Sequence, residues 1–357
     1  MKKNLFKNAS IALIVFTVFA GIFTACKKDT PVDPAVTTTL QACVDSCTTL
    51  LGSSTVATDY PAAAITEFTT VNNAAKALIA NTAATQTQVD NMLVQLRTAK
   101  ATFLAAAYGA IPASALLMGM TFDETVASNQ FKTEGKGWTT VLKTGPSEIF
   151  GTATNLPSLK AGKIGNAMYF SNGSHLEVSD YTSTSLLGST LSISAWVKPE
   201  TTKGGNYIMS YNYWKTWKFQ VQENNKPCFT TNTTGGVTDA DNETVNSAPN
   251  GTWTHLVVTM NLTSGKLIFY VNGVNSKEWT STTKPNFTGT LKPYANTIPL
   301  LVGACTTYTE ALVGFDWKGW DKPNTWDCFI GSIDELKLYN IALTDGQVSK
   351  LYKDENK

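Results

Sequence analysis

Apolar positions recur along this chain in two rhythms, and the change from one to the other divides it. Between residues 40 and 107 they fall at helical spacing. Ile65, Phe68, Val71, Ala75, Leu78 and Ile79 mark one stripe, and Val89, Met92, Leu93, Leu96, Phe103 and Leu104 a second. Asp59-Tyr60-Pro61 supplies a cap and an early-turn proline for the first stripe, and residues 81–87 break the pattern. With Leu40, Val44, Cys47 and Leu51 as a shorter leading helix, the segment predicts a small antiparallel bundle. Beyond Pro112 the period falls to two. Short alternating runs, divided by turn signals such as Asn172-Gly173 and Asn272-Gly273, predict an all-β sandwich. The expected strands are 116–122, 167–170, 175–178, 191–198, 207–211, 217–222, 253–261, 266–271, 300–303 and 330–339.

The last of these strands carries a misplaced acid. Leu336 and Leu338 share one face and Glu335 and Lys337 the other, but counting by two from Leu336 puts Asp334 on the buried side. An unpaired carboxylate there costs several kcal/mol as an order of magnitude, so a partner is expected, either backbone amides or a cation.

Composition narrows the class. The chain has 357 residues, 43% of them hydrophobic, and a formal net charge of +1. That is material for more than one core, with no electrostatic reason to expect nucleic acid as a partner. The first residues form a targeting segment: Lys2, Lys3 and Lys7, an apolar run from Ile11 to Phe23, then Thr24-Ala25-Cys26. This resembles a bacterial lipoprotein signal, which implies removal of residues 1–25, lipidation of Cys26 and membrane attachment through that lipid alone. Lys27-Lys28-Asp29 resembles the export signal of Bacteroidetes surface lipoproteins, implying an outer-membrane protein facing the cell exterior. Residues 26–39 then read as anchor and tether.

The helical region, above all Ala83-Ala84-Thr85-Gln86-Thr87-Gln88-Val89-Asp90, resembles the FIVAR-type three-helix modules of bacterial surface proteins, which implies a spacer over residues 40–110. Cys43 and Cys47 sit one helical turn apart and read as buried small residues or an oxidised pair.

In the β-region five motifs occur in order: residues 167–178 (AMYFSNGSHLEV), 191–199 (LSISAWVKP), 253–259 (WTHLVVT), 267–273 (LIFYVNG) and the final strand. Together they resemble the concanavalin A-like, laminin G-like jelly rolls. The resemblance implies a mainly β, two-sheet antiparallel sandwich over residues 114–357, preceded by the helical bundle. Trp196 and Trp253 read as core aromatics and His255 as a structural histidine. His175, after a turn, is expected at the surface.

Enzymes share this fold, so catalysis has to be judged at the site. The alternating acids Asp239, Asp241 and Glu243 imitate a glycosidase's paired carboxylates, but the flanking Gly, Asn and Pro residues predict a loop, and no catalytic residue is assigned. Domains of this family often hold a structural Ca²⁺ where the first and last strands meet. By resemblance, Asp123 and Asp334 supply carboxylates and Gly173 a carbonyl. Two aromatic clusters read as loops, residues 211–217 and 315–320. Tyr211, Trp214, Trp217, Trp317 and Trp320 are the residues expected to stack on a sugar. The second cluster occupies a long insertion bracketed by Cys305 and Cys328, a spacing compatible with a disulfide in an oxidising compartment. The expected function is non-catalytic binding of an extracellular glycan by a surface lipoprotein. The alternatives are an adhesion or scaffold module that binds a surface protein, and a glycoside hydrolase.

Overall fold

The computed structural model describes residues 34–181, 186–293, 298–314 and 327–357. The signal segment, Cys26, Trp317 and Trp320 lie outside these residues.

The helical region holds α1 (Thr38–Leu51), α2 (Val56–Asp59), α3 (Ala62–Ala80) and α4 (Gln86–Ala105). Their ends are set by local chemistry. Pro61 is the N-cap of α3, its φ of −61° already suited to an extended entry into the helix. At α4 a capping box forms: the Thr85 hydroxyl accepts from the Gln88 amide (3.3 Å) and Gln88 Oε1 accepts from the Thr85 amide (2.9 Å). The apolar stripes meet in a core that includes Leu40, Val44, Cys47, Phe68, Val89, Leu96 and Phe103. Phe103 stacks on Tyr60 and on Phe68, with centroids 4.0 and 4.7 Å apart. Cys43 and Cys47 are both free thiols. Among the described residues no helix is long and apolar enough to cross a membrane.

The sandwich begins with β1 (Leu116–Met120), β2 (Gln130–Lys132), β3 (Glu134–Gly135), β4 (Thr139–Lys143), α5 (Ser147–Phe150), β5 (Ser158–Ala161), β6 (Asn166–Phe170) and β7 (His175–Ser179). It continues through β8 (Thr190–Pro199), β9 (Asn206–Tyr211), β10 (Trp217–Gln222), β11 (Lys226–Thr233), β12 (Gly236–Asp241) and β13 (Thr254–Asn261). The last elements are β14 (Lys266–Val271), β15 (Val274–Thr280), β16 (Leu300–Val302), α6 (Tyr308–Gly314), β17 (Gly331–Tyr339) and α7 (Asp345–Glu355). One sheet has the order β15-β14-β13-β8-β17-β1-β3, with β6 on β17 and β5 on β6; the other runs β12-β11-β10-β9-β16-β7-β4-β2. This is the expected two-sheet jelly roll, and its core is built from facing side chains such as Phe170, Ile193, Trp217, Phe219, Phe229, Phe269, Leu336 and Leu338. Asn272 and Gly273 make the two-residue β14–β15 turn, with φ of 50° and 77°.

Alternation of apolar residues does not predict β2 to β5, β11, β12 or β15. Their apolar residues do not keep to one face: Leu159 and Val274 are exposed, and in β11 the inward positions Thr231 and Thr233 are threonine.

β17 lies between β8 and β1, so the first and last strands do meet, Met120 opposite Leu336. Its register differs from the simple count by two. Against β8, Asp334 pairs with Trp196 but Lys337 pairs with Ser194, a bulge centred on Glu335 at φ 46°. The extra residue shifts the phase. Ile333, Leu336 and Leu338 enter the core, whereas Asp334 shares the outer side with Trp196.

That outer side is covered by α7. Thr344 and Gln347 cap the helix, and Glu355 Oε2 accepts from Trp196 Nε1 (2.9 Å) while Glu355 and Glu335 pair with Lys337. Trp196 is buried here, under α7 and outside the sandwich core, while Trp253 is half-buried. The opposite side of α7 meets the helical bundle. Lys350 pairs with Asp59 (3.1 Å), Lys353 bonds the Tyr108 hydroxyl, and Gln347 Nε2 donates to Ala110 O (2.9 Å).

Candidate functional site

The outer face of strands β9 to β12 gathers the polar side chains with the most chemical potential. On β10, Trp217, Phe219 and Val221 point into the core, so Lys218, Gln220 and Gln222 point out. Pairing continues this face across the sheet. Lys218 stands opposite Thr230, which stands opposite Asp239; Gln220 stands opposite Cys228, which stands opposite Asp241.

Lys218 is 3% exposed. Its Nζ donates to Gln220 Oε1 (2.6 Å) and lies 4.6 Å from the Trp214 ring and 5.4 Å from each of Tyr207 and Tyr213. Burial pulls its pKa below the ordinary lysine value, opposed by Cys228, Asp239 and other nearby acidic groups. Tyr207, Cys305, Ala311 and Cys328 form a small apolar cluster beside this lysine, with Tyr213 and Tyr308 packed on it.

Toward the sheet edge the face opens into a cleft of about 170 Å³ lined by Gln222, Asp239, Ala240, Asp241, Glu243, Trp279 and Lys284. An edge strand leaves backbone carbonyls unpaired, and here side chains satisfy every second one along β12. Asn286 Nδ2 donates to Val237 O (3.0 Å), Lys284 Nζ to Asp239 O (2.9 Å) and Trp279 Nε1 to Asp241 O (2.7 Å). Asp241 is itself engaged at both oxygens: Oδ2 accepts from Gln222 (2.6 Å) and Lys226 (2.5 Å), and Oδ1 from the Glu243 amide (2.7 Å). Glu243 pairs with Lys277.

The residues expected to touch a sugar separate into different environments. Tyr211 and Trp217 are fully buried, their rings 6.2 Å apart, because each occupies an inward phase of its strand. They are core residues, which corrects the expectation that they stack on a ligand. Trp214 is half-buried beside Lys218 and remains at the surface of this face. The 239–243 segment, expected as a loop, contributes Asp239 and Asp241 to strand β12. Trp279, Gln222 and Lys284 were not anticipated. The alternation of Lys218, Gln220 and Gln222 with apolar residues was the available signal for one of them.

The expected metal residues do not all meet. Asp334, with 0% exposure, accepts at Oδ2 from the amides of Lys163 (2.8 Å) and Ile164 (3.0 Å), and at Oδ1 from the Glu335 amide (2.8 Å). Asp123 Oδ1 accepts from the amide (2.9 Å) and the side chain (2.8 Å) of Asn166. The two acids therefore flank one turn. A Cβ on Gly162 would lie 2.5 Å from Asp334 Oδ2, and one on Gly165 2.3 Å from Asp123 Oδ2. Burial raises the Asp334 pKa to about 7 despite its three amide donors. Glu124, next to Asp123, keeps a buried Oε2 without a hydrogen-bond partner. Gly173 lies past the far end of β6, where its carbonyl accepts from His175 Nδ1 (3.0 Å), and so does not join this pair. Asp123, Asp334 and Glu124 are hard oxygen donors of the kind calcium takes. Among the described residues no group of three His, Cys, Asp or Glu side chains is placed to hold a metal ion.

Cys305 and Cys328 are buried free thiols, not the expected disulfide. Cys328 pairs across a β-bridge with Ala304, so Cys305 is offset from it by one residue. Cys228 is also free, its thiol pKa pushed far up by burial. His175 is buried, not at the surface, and Nε2 lies 3.6 Å from Glu177. His255 is fully buried as expected, with Nε2 2.9 Å from Ser194 Oγ and 3.7 Å from Glu355. Serine and acid approach the same ring nitrogen, so this is not a nucleophile–base–acid relay.

Residues 170–349 match the family model described as the concanavalin A-like lectin/glucanases superfamily. Among solved structures, the chain is similar to domain 4 of AbnA, a GH43 extracellular arabinanase from Geobacillus stearothermophilus, in complex with arabinotriose. That match has 21% identity and a TM-score of 0.46 and covers 66% of this chain and 98% of that one. The binding domain of Paraclostridial Mosquitocidal Protein 1 matches at 16% identity and TM-score 0.47, over 68% of this chain. The receptor-binding domain of botulinum neurotoxin C/D mosaic serotype matches at 12% identity and TM-score 0.45, again over 68% of this chain. The match covers 52% of each of these two toxin chains. No curated protein sequence matches the chain.

Proposed function

Because the chain belongs to the concanavalin A-like lectin/glucanases superfamily, we propose that its sandwich is a non-catalytic carbohydrate-binding module that uses the outer face of β9 to β12. The observation that carries this reading is the cleft at the edge of that face, where carboxylates, a carboxamide and an ammonium surround Trp279. Polar groups placed around an aromatic wall are what recognition of a small polyhydroxylated ligand requires. Trp214 extends the aromatic border toward Lys218.

The alignment of Asp239 and Asp241 on one strand gives glycoside hydrolysis an observation in its favour. Asp241, however, spends both oxygens on Gln222, Lys226 and the Glu243 amide, which leaves it poorly placed to serve a scissile bond. The proposal includes attachment through lipidated Cys26 to the outer membrane, facing outward. It also includes a structural Ca²⁺ held by Asp123 and Asp334, the two acids that flank the 162–165 turn.

A glycan array followed by calorimetry on the mature chain tests the proposal. Trp214→Ala and Gln222→Ala are expected to weaken binding about tenfold without changing the fold, and no bound glycan is expected to be cleaved. Absence of any glycan ligand, or full affinity in both variants, would refute it.

A further inference from the structure

Lys218 is a buried cation without a paired anion. It is 3% exposed and makes no ion pair among the described residues. Taking an ammonium out of water is costly, and a methionine would fill much the same space without that cost. What meets the charge here is one carboxamide and three aromatic rings. Nζ donates to Gln220 Oε1 (2.6 Å), and Gln220 is fixed in turn by donating from Nε2 to Gly204 O (2.7 Å). The Trp214 centroid lies 4.6 Å from Nζ, closer than Tyr207 and Tyr213 at 5.4 Å, and indole is the ring that holds a cation best.

The backbone that carries Trp214 to this place is strained. Asn212 and Tyr213 follow one another in the left-handed region, with φ of 53° and 55°, which a residue as bulky as tyrosine seldom enters. Neighbouring side chains hold the turn: Thr306 Oγ1 donates to Asn212 Oδ1 (3.1 Å), the Tyr213 amide to Ser210 Oγ (2.9 Å) and Asn232 Nδ2 to Trp214 O (3.3 Å). These bonds fix the chain at 212–214, not the indole about its own torsions.

Resting on the carbohydrate-binding reading, we infer that Lys218 is a positioning residue for that face: its buried ammonium, out of reach of a ligand, holds the Trp214 indole in the orientation in which the ring meets a sugar. A ring that is already still loses less freedom when a ligand arrives, so the lysine raises affinity without touching the glycan.

The experiment uses the full mature chain and has two arms. In the first, the 9 tryptophans are replaced by 5-fluorotryptophan, and Trp214→Phe identifies the fluorine resonance of position 214. One sharp Trp214 resonance is expected in the native chain and a broadened or split one in Lys218→Met. The second arm is calorimetry with whichever of gluco-, xylo- and arabino-oligosaccharides binds most tightly. Lys218→Met is expected to weaken binding about fivefold, and to weaken it no further when Trp214 is already alanine, because the lysine acts through the ring. Circular dichroism checks the fold. Lys218→Gln, which removes the charge and keeps a hydrogen-bonding partner for Gln220, carries the same expectations should the methionine variant fail to fold. A Trp214 resonance that stays single and sharp in these variants, or a lysine effect as large without Trp214 as with it, would overturn the inference while leaving carbohydrate binding standing. Failure of every glycan to bind would instead remove the reading beneath it.

Discussion

Lowering the pH should destabilise this protein through one histidine. His255 is fully buried between β8, β17 and α7. It is faced by Ser194 and Trp196 from β8, Lys337 and its partner Glu335 from β17, and Tyr352 and Glu355 from α7. Burial, then the Lys337 ammonium, lowers its pKa from the ordinary 6.5 to about 3. Glu355, whose carboxylate lies 3.7 Å from the ring, is already engaged by Lys337 and Trp196. The direction follows from proton counting. Between these pKa values the unfolded chain binds a proton that the folded chain refuses, so the stabilisation is complete above about 6.5 and is lost as pH falls toward about 3. The full span is roughly 5 kcal/mol, and roughly 2.5 kcal/mol should be gone at a pH of about 4.5. Urea denaturation in chelator, at that pH and at neutrality, should show this loss in the native chain and not in His255→Gln, since all other titrations are common to both. The chain has only 2 histidines, so NMR titration can follow each ring separately. A pH-dependent loss equal in both proteins, or a His255 ring that titrates near its ordinary value, would refute the reasoning.

Trp217→Ala should cost about 3–5 kcal/mol in denaturant unfolding, because it empties the core, whereas Trp214→Ala should leave stability nearly unchanged. Equal effects would contradict their different burial. Calcium should raise the melting temperature of the metal-free chain, and Asp334→Asn should abolish that rise; a rise that survives the substitution would exclude Asp334 as a ligand. In α7, a Cβ on Gly346 would come within 2.7 Å of the Tyr108 backbone. Gly346→Leu should therefore push the bundle off α7 and split a single calorimetric transition into two, and one unchanged transition would show that the contact does not couple the units.

The sequence by itself determined most of the architecture. Helical spacing in residues 62–105 and alternation in β8, β10, β13 and β14 depend on which face of a local element is apolar, and local spacing reports that directly. Turn residues such as Asn272-Gly273 carry their conformation with them. Other features exist only through long-range pairing. Tyr211 and Trp217 looked like loop aromatics until the register of β9 and β10 turned them inward. The acids at 239–241 looked like a loop because β12 is held at the sheet edge by side chains from residues 279–286, a contact no neighbour in sequence announces. Asp334 is the sharpest case. Counting by two put it in the core, but a single bulged residue, Glu335, reverses the phase, and bulges are fixed by the partner strand. The sequence held the buried acid; only the paired sheet decided that it faces α7's side of the sandwich, beside a glycine-bracketed turn that carries the amides to meet it.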